Sequence, residues 1–201
     1  MKPAFYKTLF ILITIASSCS VFSQTSIISF GTYWNYLDTD TRPGSWQTSG
    51  FDDSGWPSAP VNCTPGNINN KYITTYFRKS VTIANPAIFS DFTLNVYRDD
   101  GIVVYINGTE RLANNMPAGR LHGTLATDAT DGGDVIQTFT IPSTAFIAGI
   151  NVIAVEVHQT NVTSSDLVFD MELIGNPITG TTFIPYGSNW KYLANNTRPA
   201  N

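Results

Sequence analysis

The sequence predicts an all-β protein, an antiparallel β-sandwich. Three observations predict it. Short alternating or β-branched stretches recur about every ten residues, separated by turn dipeptides. Aromatic residues make up 12% of the 201 residues and charged residues only 13%, a composition suited to half-buried pleated surfaces. The acids are 12 Asp against 3 Glu, and Asp favours turns and caps where Glu favours helix interiors. No long amphipathic helix is legible.

The elements follow in order. Residues 1–23 read as a signal peptide. Lys2 and Lys7 give a basic start, and Leu9 to Ala16 is an apolar run too short to cross a bilayer. Val21-Phe22-Ser23 offers small residues ahead of Gln24, so cleavage falls before Gln24. A buried N-terminal helix is the alternative. A lipoprotein, acylated at Cys19, is another, with Ala16 where Leu is usual. Cys19 leaves with this segment and Cys63 then stands alone, which excludes a disulfide framework and a thiolate zinc site. Export to a secreted or cell-surface location is expected, with no membrane anchoring after cleavage.

Tyr72 to Ile83 predicts a strand that ends before Asn85-Pro86. Phe92 to Tyr97 alternates, with Phe92, Leu94 and Val96 on one face. Asp99-Asp100-Gly101 reads as a tight turn. Ile102 to Ile106 is β-branched and aromatic, hence a buried strand. Asn107-Gly108 is a strong hairpin signal that returns the chain through Thr109 to Leu112. Asp131 to Asp134 is a further turn, Val135 to Ile141 a strand, and Ser143 to Phe146 a short helical turn. Ile150 to Val157 and Leu167 to Ile174 complete the set. The long interval between Leu112 and Val135 points to a connection that crosses between sheets, as in a jelly roll.

The chain also repeats itself. Phe30-Gly31-Thr32-Tyr33-Trp34-Asn35-Tyr36-Leu37 matches Tyr186-Gly187-Ser188-Asn189-Trp190-Lys191-Tyr192-Leu193, and Thr41-Arg42-Pro43 matches Thr197-Arg198-Pro199. Every match has one offset, with no gap. Residues 26–175 therefore read as one module, 176–181 as a linker by their Pro, Gly and Thr content, and 182–201 as the first strand of a second copy. The sequence is expected to be part of a longer, multi-domain chain.

Four stretches resemble galactose-binding-like jelly-roll modules. They are Trp46 with Phe51-Asp52-Asp53-Ser54-Gly55-Trp56; Tyr76-Phe77-Arg78-Lys79-Ser80-Val81; Arg98 to Gly108, with its Asp-Asp-Gly and Val-Tyr-Ile-Asn-Gly; and Gly149 to Val157. Such modules are found beside β-galactosidase and rhamnosidase catalytic domains, and as tandem repeats in large secreted bacterial proteins. The resemblance, over residues 33 to 174, implies a non-catalytic, carbohydrate-binding-like accessory module. Its partners would be a glycan or polysaccharide and the neighbouring domains of its own chain. A structural spacer or adhesion repeat is the alternative, and a hydrolase domain beyond Asn201 is a third reading.

The candidate ligand-binding residues are Asp99, Asp100, Asn107, Arg78, Trp56 and His158. Asp99 and Asp100 offer adjacent carboxylates for sugar hydroxyls or Ca²⁺, or simply the residues a turn requires. Asn107 suits a left-handed turn position as well as a ligand. Arg78 can hold a carboxylate, whether a glycan's or an internal Asp. Trp46 and Trp56 suit a sugar platform or a core plug, and Trp34, matched by Trp190, favours the core. His158 lies near Ser164, Ser165 and Asp166. A hydrolase triad there lacks both a G-x-S-x-G elbow and a following helix, so no catalytic residue is assigned. No metal ligand set is assigned either: His122 is the only other histidine, and no cofactor is expected beyond a possible role for Ca²⁺. The formal net charge of −4 and pI near 4.9 exclude nucleic acid as a partner.

Overall fold

A computed structural model describes residues 23–60, 72–128, 132–164, 167–178 and 187–189. Residues 1–22 of the expected signal peptide, Cys63, Ser165, Asp166 and Trp190 lie outside the described residues. The described chain forms ten strands: β1 (Thr25–Ile28), β2 (Tyr33–Leu37), β3 (Ser58–Pro60), β4 (Thr74–Ile83), β5 (Phe89–Asp99), β6 (Gly101–Ile106), β7 (Thr109–Asn114), β8 (Gln137–Pro142), β9 (Gly149–His158) and β10 (Val168–Pro177). Two 3₁₀ turns, Pro86–Ile88 and Ser143–Ala145, are the helical elements among them.

All pairings are antiparallel and build two sheets. One has the order β1-β10-β5-β8 and the other β3-β2-β4-β9-β6-β7. They face each other across one apolar core. The four-stranded sheet contributes Phe92, Leu94, Phe169 and Met171, and the six-stranded sheet contributes Phe77, Val104, Val155 and Val157. Period-two alternation explains the choice: in β9 the odd residues Ile153, Val155 and Val157 turn inward together. Aromatic edges bridge the two layers. Phe169 sits 4.5 Å from Phe77 and 5.2 Å, T-shaped, from Trp34.

Several local expectations hold. Asn107 (φ +51°) and Gly108 (φ +83°) form the left-handed turn between β6 and β7. β7 and β8 lie in different sheets, so the connection between them does cross the sandwich. Asn85 caps the first 3₁₀ turn by accepting the Ala87 N–H at 3.0 Å. Two strand starts shift, because Tyr72 and Ile73 precede β4, and Val135 and Ile136 stand exposed before β8.

Asp99-Asp100-Gly101 is a correction. It is no hairpin turn. β5 and β6 belong to different sheets, so this point carries the chain over one end of the sandwich. What specifies the crossing is tertiary: the Asp100 N–H donates to the His158 carbonyl at 3.3 Å, and β6 pairs with β9 immediately afterward. Gly101 is needed there because an added Cβ would stand 2.9 Å from the Asn115 carbonyl oxygen and 2.8 Å from the Ala126 Cβ.

The two ends of the sandwich differ. The chain enters and leaves at one of them: Thr25 lies opposite Gly175, and Gln24 Nε2 donates to Asn176 Oδ1 at 2.9 Å. The Asp100 crossover, the end of β9 and the loop 115–127 gather toward the other, and the loop 38–57 runs back over the six-stranded sheet as far as Gly108, beside Thr48.

Candidate functional site

The outer face of the six-stranded sheet should meet water, yet its central strands are buried on both sides. Even-numbered residues of β4 and β9 point outward in register: Thr74 opposite His158, Tyr76 opposite Glu156, and Arg78 opposite Ala154. β6 continues all three rows, with Gly101 opposite His158, Val103 opposite Glu156 and Tyr105 opposite Ala154. Loops 38–57 and 115–127 cover this face, and a second apolar cluster of Trp46, Tyr76, Val103, Tyr105 and Ala154 lies beneath them.

Arg78 fastens the first loop. Its Nε donates to Asp53 Oδ2 at 3.1 Å, Nη1 to the carbonyls of Trp46 and Thr48, and Nη2 to the carbonyl of Phe51 at 3.3 Å. The guanidinium also lies 5.2 Å over the Phe51 ring. Trp46, fully buried, meets Tyr76 edge-on at 4.6 Å and Tyr105 at 5.7 Å. The half-buried Trp56 packs T-shaped on Phe51 at 5.6 Å. Asp52 closes an Asx turn by accepting the Ser54 N–H at 3.0 Å. That hydrogen bond to the ionised form lowers its pKa.

A charged network ties both loops to the sheet. Glu156 is buried; its Oε1 accepts from Arg42 Nη2 at 3.0 Å and from the Tyr105 hydroxyl at 3.3 Å, and its Oε2 lies 2.9 Å from His158 Nε2. His158 Nδ1 lies 2.8 Å from the Thr124 carbonyl and 3.0 Å from Thr74 Oγ1. Arg42 comes from the first loop and Thr124 from the second, so the pair Glu156–His158 joins the two covers. Burial pushes the Glu156 carboxyl up, but the hydrogen bond and charge of His158, with Arg42, outweigh it and hold the pKa below the usual value. Burial and the charge of Glu156 push the Tyr105 phenol up to about 12 and raise Tyr76 further.

At the rim this network reaches water. The Tyr76 hydroxyl lies 2.7 Å from His122 Nδ1, and His122 Nε2 lies 3.3 Å from Asp40 Oδ1. The Asp40 side chain is 78% exposed and that of Arg42 39%. Arg42 places a single nitrogen, Nη2, on Glu156, and its side chain is partly exposed. The rim thus combines a planar donor, a carboxylate and an imidazole, groups that pair with hydroxyls or with a carboxylate. Among the described residues no three of His, Cys, Asp and Glu gather as metal ligands.

The six residues singled out from sequence fall in different places. His158 is the hub of the buried network. Arg78 and Trp56 lie beneath or within the same cover. Asp99 and Asp100 are buried at the crossover, where Asp100 Oδ2 accepts from the Thr160 N–H at 2.7 Å and from its hydroxyl at 2.9 Å. Asn107 lies at the opposite end, its Oδ1 accepting from the Val152 N–H at 3.0 Å and its Nδ2 donating to Asn151 at 2.8 Å. Sequence reasoning missed Arg42, Glu156, Tyr105, His122 and Asp40. Two signals were present. Glu156 is a lone charge in an apolar strand, two residues from His158 and so on its face. Arg42 recurs as Arg198 in the repeat.

No family model and no curated protein matches the chain. Solved structures do. A β-glucuronidase from glycoside hydrolase family 2 aligns with a TM-score of 0.53 at 14% identity, over 81% of this chain and 18% of its own. Bacteroides uniformis β-glucuronidase 2, covalently bound to a cyclophellitol-6-carboxylate aziridine, gives 0.54 at 17% identity, over 77% and 18%. An uncultured Clostridium sp. β-glucuronidase gives 0.52 at 10% identity, over 84% and 31%. At these identities the likeness is one of fold. The chain spans less than a third of each enzyme it resembles, and the part it resembles is a two-sheet β module.

Proposed function

We propose that residues 26–175 are a non-catalytic accessory module of the galactose-binding-like, jelly-roll type. It works beside a glycoside hydrolase domain in a longer, secreted chain whose second copy of the module begins at 182. The carrying observation is the asymmetry of coverage: most of this chain aligns with 18–31% of each β-glucuronidase. Carbohydrate is the ligand class this reading assigns, and the Arg42–His122–Asp40 rim is the place it assigns to it. The rim supports that choice because its donors and acceptor are the ones left facing water. The residues first considered for the role are spent on internal contacts.

A glycan array probed with the folded, secreted chain tests the reading. Binding to a defined glycan class, weakened at least tenfold by Asp40→Asn, supports it. That substitution changes an exposed group and leaves the buried network in place. No binding from a folded sample overturns the carbohydrate part. A structural spacer or adhesion repeat is then the better reading, and the burial of Trp46, Asp100 and His158 in internal packing favours it.

A further inference from the structure

The repeat, read together with the strand topology, constrains how two copies of the module sit. Matching residues are 156 positions apart: Trp34 and Trp190, Arg42 and Arg198. Gly31 and Gly187 correspond by the same offset, and both adopt a left-handed φ, +73° and +84°. That shared backbone feature supports the second-copy reading, on which this inference rests. By the offset, the second copy begins at residue 182, as proposed above. The residues in register agree in character: Ile28 with Ile184 and Phe30 with Tyr186.

β10 ends at Pro177. Five residue steps from Pro177 to residue 182 span at most about 18 Å. Pro177 lies at the end of the sandwich where the chain enters and leaves, and a second copy of the same topology is entered at its corresponding end. A tether this short keeps those two ends close together. Among the polar groups of that end, three isoleucines stand out. Ile178 continues the β10 ladder by donating its N–H to the Ile88 carbonyl at 3.0 Å, yet both side chains stand out, Ile178 52% and Ile88 55% exposed. Ile147, also exposed, follows the second 3₁₀ turn, which packs against the first.

We propose that Ile88, Ile147 and Ile178 form the seat on which the second copy of the module docks, attachment end to attachment end. The rims carrying Asp40, Arg42 and His122, with their counterparts in the second copy, then point away from the joint. A docked pair presents two rims at a fixed separation, the geometry that turns modest single-site affinity into avidity on a polymeric ligand.

The test uses the natural chain carried through its whole second copy, beside residues 24–178, whose two sheets close their own core. Backbone ¹⁵N relaxation reads the tumbling. The expected result is one correlation time shared by both copies, about twofold that of residues 24–178. Ile88→Asp with Ile178→Asp then returns both copies toward the single-module value without loss of folding, because both side chains are exposed. Two folded copies tumbling independently in the unaltered chain overturn the docking. Self-association of residues 24–178 that the same two substitutions abolish also overturns it, by making a second chain the occupant. If the residues from 182 onward yield no second folded β module, the repeat reading itself fails, a result distinct from either.

Discussion

Replacing Arg78 with Met tests how the outer face of the six-stranded sheet is closed. Met keeps the apolar stem of the side chain and removes the guanidinium. Four acceptors in residues 46–53 lose a donor: the Asp53 carboxylate and the carbonyls of Trp46, Thr48 and Phe51, of which Thr48 keeps the Phe51 N–H. Breaking a buried charge network by removing one partner costs about 3–5 kcal/mol. Asp53 is partly exposed and can take up water, which puts the expected loss at the low end, about 3 kcal/mol. For a domain of this size that lowers Tm by roughly 6–12 °C. The loss is local in origin, so Trp46 reports it: its ring is fully buried beneath the loop and becomes accessible to acrylamide once the loop lifts. Urea unfolding measures the stability and fluorescence quenching the exposure. A loss under about 1 kcal/mol with unchanged quenching would refute the claim that Arg78 holds this loop down.

Three further outcomes follow from the same geometry. Glu156 has a folded pKa below its ordinary 4.5, so its charge stabilises the fold fully above that value, and the contribution disappears as pH falls through the lower folded value. The stability gap between the natural chain and Glu156→Gln therefore narrows in acid, measured by urea midpoints from about pH 7 down to about pH 3; a gap independent of pH contradicts the assignment. Gly101→Ala forces a Cβ into the Asn115 carbonyl and Ala126 and costs about 2 kcal/mol, with NMR shift changes centred on residues 115–127. Asn107→Ala removes the acceptor for the Val152 N–H and sets a β-carbon without a polar group at φ +51°, which costs about 2 kcal/mol by thermal unfolding.

What the sequence disclosed depended on range. The strands at Phe92 to Tyr97, Ile102 to Ile106 and Ile150 to Val157 were legible because alternation and β-branched, aromatic content are local signals. The Asn107-Gly108 turn was legible because its backbone demands those residues. Asp99-Asp100-Gly101 carries the same turn chemistry yet serves a crossover, since what decides between the two is which strand β6 pairs with, and that partner, β9, lies some fifty residues on. The site was hidden for a related reason. Burial of the sheet's outer face comes from two loops with no periodic pattern. Nothing near Trp46 in the chain announces that its partners are Tyr76 and Tyr105, and nothing near Arg42 announces Glu156. Only the spacing of Glu156 and His158, which sets them on one face of a strand, and the recurrence of Arg42 as Arg198 could be read in advance.

The most direct measurement is an NMR titration of the folded chain with the oligosaccharide it binds best. The account predicts that backbone shift changes concentrate on Asp40, Arg42 and residues 122–124, at the rim where Glu156 and His158 join the two loops. Changes confined to the attachment end around Ile88 and Ile178, or no saturable change with any oligosaccharide, would contradict it.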